Sequence, residues 1–315
     1  MRQLLPESYL KRWNLLDVRK DKLQEIRLRV DKPLMLTYEG IEQEKREIKV
    51  QKGDIEQVFQ WICGYGVYAY KEELAKGYIT IQGGHRVGIG GQVLFDVSGK
   101  VTNMKYISSM LIRVSHDIRG VAGELIDKLY RDGKLQNTLI LSPPGCGKTT
   151  MLRDLVRYVS EGNMHCNGQN VSLIDEREEL AACYMGVPSI DVGKRTDVIS
   201  GCDKAAAMEM CLRALGPEVV AVDEVYSNKD LEAIKKLHGC GCVLLATHHA
   251  YSFEEFAEKP FGMEVLKGKL FQRFVLLGRE TGRYVVRGIY EEEIVDALGQ
   301  KPAGGLRHEM TGGQA

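Results

Sequence analysis

The chain carries no surplus charge: 43 Lys and Arg stand against 43 Asp and Glu in 315 residues. Such a balance gives no overall field to draw the molecule onto nucleic acid or an acidic membrane, and leaves only local patches for those partners. Long apolar runs are missing as well. None approaches the roughly 18 to 20 residues that cross a bilayer, and the opening MRQLLPESYLKRW breaks its apolar positions with charge, unlike a secretory leader. The expectation is a cytoplasmic protein whose membrane role, if any, is peripheral. Eight cysteines occur without a repeating CxxC pair, and a reducing compartment would keep them as thiols. Cys240-Gly-Cys242 followed by His248 and His249 could suggest a metal cluster, but Val243 to Ala246 read as a buried strand and the usual ligand spacing is missing. A basic surface interleaved with aromatics, of the kind that stacks single-stranded nucleic acid, is lacking too, and there is no internal repeat.

What is there is an ordinary globular composition, 44% hydrophobic and 27% charged, in a length that allows two domains. Residues 1 to about 120 hold the mixed pattern EIRLRVDKPLMLTY, the helical stretch GDIEQVFQWICGYGVYAYKEELAKG, and then YITIQGGHRVGIGGQVLFDVSGKVTNMKYISSMLIRVS. The last alternates β-branched and aromatic positions with glycine and Asp-Val-Ser-Gly turn signals, which favours antiparallel strands. A smaller N-terminal α+β domain is therefore expected over 1–120, followed by a connector at 121–136 with a short helix. From 137 the rhythm changes. The apolar runs NTLILS, NVSLIDE, EVVAVDE and CVLLATHH alternate with the helical segments KTTMLRDLVRYVSEG, KAAAMEMCLRALG and KDLEAIKKLHG. That alternation predicts an α/β domain with a parallel sheet and right-handed crossovers, extending to 292. KLFQRFVLLGRETGRYVVRGIY closes it as a hairpin turning near Glu280 to Gly282, and the glycine-rich 293–315 reads as a flexible tail.

The stretch SPPGCGKTT, Ser142 to Thr150, lies between a strand and a helix. Converging backbone N–H groups can bind phosphate there only if glycines keep the turn bare, and Gly145 and Gly147 do so. Pro144, Gly145, Cys146, Gly147, Lys148, Thr149 and Thr150 are the expected nucleotide-binding residues, with Lys148 reaching the outer phosphates of ATP and Thr149 placing its hydroxyl on Mg²⁺. Serine stands where G-x-x-x-x-G-K-[ST] has its first glycine, a position that closes the base of the loop rather than touching phosphate.

EVVAVDEV delivers Asp223 and Glu224 at a strand's C-terminal edge, where open α/β sheets bind ligands. Asp223 would hold Mg²⁺ through water, and Glu224 would polarise the attacking water. CVLLATHH reads as one more strand beside it. In the additional-strand class of P-loop ATPases a polar residue at this place senses the γ-phosphate, and Thr247, His248 or His249 could do so. Arg177 in LIDEREE, Arg195 in DVGKRTDV and Arg213 in MCLRALGPE are each open between an arginine finger supplied across a subunit interface and a surface salt bridge.

Together these segments resemble the stage III sporulation protein AA family of endospore-forming bacteria, relatives of the type II and type IV secretion ATPases. The likeness spans most of the chain. It rests on EIRLRVDKPL, YAYKEELAKGYITIQGGHRVGIGG and MKYISSMLIRV in the first half, and on SPPGCGKTTMLRDLVR, LIDEREELAACYMGVPSIDVGKRTDV, LGPEVVAVDEV and LLATHHA in the second. The resemblance implies a RecA-like P-loop motor that assembles as a homo-oligomeric ring, expected to be a hexamer. It also implies Lys148 and Thr149 as phosphate and Mg²⁺ ligands, Glu224 as catalytic carboxylate and His249 as the strand-end histidine. Arg177 and Arg195 fall in its acidic and arginine-bearing region. His85, Arg86 and Arg113 belong to the amino-terminal pattern as structural or interfacial residues. Where the family continues its carboxylate strand as Asp-Glu-Ile-Gly-Arg, this chain has DEVYSNKD, with Tyr226 and Ser227 replacing the Gly and Arg. By analogy the protein would work in the mother-cell cytoplasm at the inner face of the membrane. It would power a secretion-like channel to the forespore with membrane proteins of the same sporulation operon as partners, and no nucleic acid is expected. Two other readings remain from the residues: a nucleotide-gated scaffold that barely hydrolyses, and a nucleic-acid-stimulated ATPase.

Overall fold

The computed structural model describes residues 4–16, 22–38, 40–280 and 283–291. By packing they form two units: one runs from the first described residue to Gly120 and includes 175–194 and 198–202, and the other comprises 121–174, 195–197 and the described residues from 203 on. The sequence reading keeps 175–202 wholly in the ATPase domain and makes 121–136 a separate connector, so the grouping departs from it at both places. The tail expected over 293–315 lies outside the described residues.

In the first unit, helix α1 (Glu7–Arg12) precedes strands β1 (Leu23–Arg29), β2 (Pro33–Tyr38) and β3 (Ile41–Lys49). Helices α2 (Lys52–Ile62) and α3 (Lys71–Lys76) then lead to β4 (Tyr78–Ile81), β5 (His85–Phe95) and β6 (Val101–Arg113). The sheet order is β3-β2-β1-β6-β5-β4, and the pairs are antiparallel. Period-two alternation buries Ile26 and Leu28 of β1 and Leu34 and Leu36 of β2, which share one core with Ile55, Val58, Phe59 and Ile62 of α2, a helix packed against β6. α2 starts on a reciprocal cap, since Asp54 accepts from the Gln51 N–H at 2.8 Å.

The excursion at 175–194 is held inside this unit by named ties. The Asp175 carboxylate accepts from the N–H groups of Glu179, Leu180 and Ala181 at 2.8, 3.0 and 2.8 Å. Thr80 donates to Glu178 at 3.3 Å, and Arg86 pairs with Glu179 at 2.7 Å while lying 3.5 Å from the centre of the Tyr78 ring. These tertiary links explain why the segment leaves the unit that its neighbours in sequence belong to.

The second unit opens with α4 (Gly123–Ile126) and a small hairpin, β7 (Tyr130–Arg131) and β8 (Lys134–Leu135). There follow β9 (Thr138–Ser142), α5 (Lys148–Glu161), β10 (Val171–Asp175), β11 (Thr196–Ser200), α6 (Lys204–Ala214), β12 (Val219–Val222) and α7 (Asn228–Gly239), with Asp175 of β10 and 198–200 of β11 grouping with the first unit. β13 (Val243–His249), α8 (Phe253–Glu258), α9 (Pro260–Lys267), β14 (Arg273–Glu280) and β15 (Arg283–Glu291) complete it. The sheet order is β11-β10-β12-β13-β9-β14-β15. β10, β12, β13, β9 and β14 run parallel, and β15 returns antiparallel along β14 as the sequence expects. Every residue of β9, β10 and β12 is buried, the mark of a parallel strand covered on both faces. A single Leu139→Ala change in β9 would cost about 2–5 kcal/mol of transfer and cavity energy.

The arrangement is that of an additional-strand P-loop domain: β13 is hydrogen-bonded on one side to β9, which leads into the phosphate loop, and on the other to β12, which ends in Asp223 and Glu224. The hairpin β7–β8, strand β11 and helices α8 and α9 are not in the sequence reading. No described helix is long and apolar enough to cross a membrane.

Candidate nucleotide site

β9 delivers Ser142 at its C-terminal end, and α5 begins at Lys148, so residues 143–147 form the turn between them. Gly147 caps the helix with φ +83°, and a Cβ there would fall 2.8 Å from Tyr284 of β15, so only glycine fits. Ser142 does not take a positive φ. It is buried, its Oγ donates to the Pro143 carbonyl at 2.9 Å and its own carbonyl accepts from Ala250 N–H at 3.2 Å. The departure from the usual first glycine therefore demands no unusual backbone. Pro144 and Gly145 are exposed, while Cys146, Gly147, Thr149 and Thr150 are half-buried along the rim.

Lys148 is only 6% exposed, and a buried ammonium needs partners. Its Nζ stands 3.2 and 3.3 Å from the two ring nitrogens of His249 and 3.9 Å from Glu224 Oε1. His249 Nε2 in turn lies 2.9 Å from the same Glu224 oxygen. β9, β12 and β13 thus bring a lysine, a carboxylate and an imidazole to one point at the C-terminal sheet edge.

A second chain of contacts runs alongside. Thr149 Oγ1 donates to Asp223 Oδ2 at 2.9 Å, Thr247 Oγ1 donates to Asp223 Oδ1, and the same Thr247 oxygen accepts from the Glu224 N–H at 2.9 Å. Glu224 has φ +53°, a left-handed conformation that costs a non-glycine residue about 1–3 kcal/mol and persists only where its surroundings hold it. Its carbonyl accepts from Lys204 Nζ at 2.7 Å, which with the Thr247 contact holds the residue from both backbone groups.

His248 faces the other way, as strand alternation requires. Its ring stacks on Phe261 at 5.1 Å and meets Phe256 edge-on at 5.2 Å, and its Nδ1 lies 2.6 Å from the Val225 carbonyl. Burial pushes its imidazole below the usual value of 6.5. Of the three polar residues ending β13, Thr247 and His249 reach the site and His248 belongs to the aromatic core under α8 and α9.

The arginines are elsewhere within the chain. The Arg195 carbonyl accepts from Val171 N–H at 2.9 Å, and its own N–H donates to Ser160 Oγ at 2.7 Å. Val171 opens β10, so Arg195 lies at the N-terminal edge of the sheet, opposite the phosphate loop. Arg177 is in the excursion that groups with the first unit. Arg213 is on the surface, paired with Glu209 at 3.0 Å. In the first unit Arg113 pairs with Glu25 at 3.7 Å, Arg86 with Glu179, and buried His85 accepts from Ser115 N–H at 3.0 Å. Cys242 donates to the Pro217 carbonyl, and among the described residues no group of three or more His, Cys, Asp and Glu could hold a metal.

Lys204 and Tyr284 were not legible in the sequence. Lys204 follows the N-cap Asp203 and looks like any solvated helix start, yet it is 4% exposed. Tyr284 lies on β15, far along the chain from the glycine it touches. The Thr149 hydroxyl and the Asp223 carboxylate are hard oxygen donors of the kind Mg²⁺ takes beside phosphate oxygens, so the donor set fits that ion.

A family model described as sporulation stage III, protein AA, matches residues 2–296. Stage III sporulation protein AA of Bacillus subtilis (strain 168) is 34% identical over 272 residues, 86% of this chain and 88% of that one. Among solved structures, the pilus retraction motor PilT with bound ADP aligns at TM-score 0.62 and 14% identity, over 94% of this chain and 90% of its own. The Legionella pneumophila ATPase DotB aligns at TM-score 0.60 and 13% identity, over 94% and 82%. At such identities the two structures speak to the fold.

Proposed function

The chain belongs to the sporulation stage III protein AA family, and from that premise we propose that it is an ATP-hydrolysing motor whose site is the Lys148–Glu224–His249 cluster beside Thr149 and Asp223. It is a sporulation protein AA homologue with the fold of secretion ATPases. The observation that carries the reading is the convergence of the Lys148 ammonium, the Glu224 carboxylate and the His249 ring within 3.9 Å at the edge where β9, β12 and β13 end.

In this reading the N–H groups of residues 144–150 and the start of α5 receive the phosphates, and Lys148 balances charge on the outer oxygens. Glu224 accepts a proton from the water that attacks the γ-phosphorus, while the bond to the β-phosphate oxygen breaks and its electron pair leaves with ADP. His249 fixes the plane of that carboxylate by holding Oε1. Thr247 ties Asp223 to the Glu224 backbone, so the two carboxylates keep their spacing. Thr149 and, through water, Asp223 would hold Mg²⁺, which would supply charge to neutralise the phosphate oxygens. Arg195 lies at the opposite sheet edge, so a finger role for it requires a neighbouring copy, and Arg177 is the second candidate. The homo-oligomeric ring, proposed as a hexamer, rests on the family to which the chain belongs. Its proposed place is the mother-cell cytoplasm, at the inner face of the membrane beside membrane proteins of the same operon, driving a channel to the forespore.

The test is steady-state ATP hydrolysis over a protein concentration series, beside Lys148→Ala and Glu224→Gln. The wild type should exceed both by at least a hundredfold, with specific activity rising with concentration. A wild type no faster than either variant sinks the motor, and a fully active monomer sinks the intersubunit arginine.

A further inference from the structure

We propose that Lys204 is a positioning residue for hydrolysis, acting through the backbone of Glu224; this deepens the reading of the site as an ATPase. The observation is a buried cation aimed at the main chain of the candidate base. Lys204 is 4% exposed, its Nζ donates to the Glu224 carbonyl at 2.7 Å, and it lies 4.8 Å from the centre of the Tyr226 ring. Its own backbone is fixed at the first position of α6, where the Asp203 side chain accepts from Ala206 N–H at 3.1 Å.

The need for such a support follows from Glu224 itself. Its left-handed φ of +53° turns the side chain off the line of β12 toward Lys148 and His249. A glutamate released from that conformation relaxes to the right-handed or extended regions, which carries the carboxylate away from its partners. Thr247 grips the N–H of the residue, and Lys204 grips its carbonyl. The following peptide is held on both of its groups, since the Val225 N–H donates to the Thr247 carbonyl at 2.9 Å and Lys204 takes the Glu224 carbonyl; without Lys204 the carbonyl side of that link loses its charged donor and only the N–H side stays anchored.

Tyr226 completes the device. Its ring gives the desolvated ammonium an aromatic face. A side chain without a ring at that position would offer no such face, so Tyr226 and the buried Lys204 form one unit. The charge near the site also restricts what can replace it: an apolar side chain of the same length fills the space but leaves the Glu224 carbonyl without this donor.

A misplacement of about 1 Å at a reacting group can lower a rate on the order of a hundredfold. The experiment measures kcat and KM for ATP with full-length wild type, Lys204→Met, Lys204→Arg and Glu224→Gln, with thermal melting of each. The expected result is a 10- to 100-fold fall in kcat for Lys204→Met with KM within about twofold of wild type, and recovery to within about threefold of wild-type kcat in Lys204→Arg, which keeps a donor. An unchanged kcat in a folded Lys204→Met overturns the proposal, as does a fall in KM-dependent binding alone. If Lys204→Met does not fold, Tyr226→Leu takes its place: a three- to tenfold loss of kcat at constant KM supports the device, and none refutes it. A wild type no faster than Glu224→Gln overturns the ATPase reading and this inference with it, an outcome distinct from an active wild type that ignores Lys204.

Discussion

Replacing Gly147 by alanine tests the geometry of the phosphate loop directly. Two separate effects oppose a Cβ at this position. The residue has φ +83°, and left-handed backbone disfavours an L side chain by about 1–2 kcal/mol. The new methyl would also sit 2.8 Å from Tyr284 Cδ1, 2.9 Å from Cγ and 3.0 Å from Cε1. Overpacking of this kind costs about 1–3 kcal/mol, and because Tyr284 is 40% exposed and has room to yield, the low end near 1 kcal/mol applies. The sum of about 2–3 kcal/mol corresponds to a roughly 30- to 150-fold loss of nucleotide affinity if the loop must keep its shape to bind phosphate. Calorimetric titration with ADP and Mg²⁺ measures it. The double variant Gly147→Ala with Tyr284→Ala separates the causes: relief of the steric part should return about fivefold, and the backbone part should remain. Binding by Gly147→Ala within threefold of wild type would refute the reasoning. A double variant that recovers nothing would show that the ring is not what the methyl meets.

Three further outcomes are expected. Thr247→Val removes the hydroxyl shared by Asp223 and the Glu224 N–H, leaving a partly buried donor unpaired, and should cut ATP turnover more than tenfold with melting shifted by only a few degrees. Asp230→Ala removes the carboxylate that accepts from Tyr226 and Ser227 N–H at 3.0 and 2.9 Å at the start of α7, and chemical denaturation should register a loss of about 2–4 kcal/mol. His248 is held neutral by burial, so its folded value lies below 6.5 and the unfolded chain binds the extra proton as pH falls through that region. Stability is therefore complete above about 6.5 and declines below it, and His248→Gln, which keeps a donor for the Val225 carbonyl, should flatten the melting temperature between pH 7.5 and 5.5 relative to wild type.

The parts of this site written in contiguous residues could be read without coordinates. SPPGCGKTT encodes its own turn and helix start, and EVVAVDE its own strand and edge carboxylates, because local backbone preference and apolar runs specify both. The choice among Thr247, His248 and His249 was open from composition, yet period-two alternation already separates His248 from the other two. Lys204 is hidden in the sequence because its partners, the Glu224 carbonyl and the Tyr226 ring, lie about twenty residues further on, which no pattern around residue 204 reports. TDVIS, at 196–200, escaped notice as a strand because an edge position with half-buried residues needs no apolar run. The grouping of 175–194 with the first unit depends on pairs such as Arg86 with Glu179, residues that nothing in the local sequence connects.

The end of β13 presents two faces. Thr247 and His249 look toward Asp223 and Glu224, while His248, one peptide link away, rests flat on Phe261 of α9. Because the two imidazoles share one strand end, any displacement of His249 away from Glu224 would be carried to His248 and to its seat on the Phe261 ring.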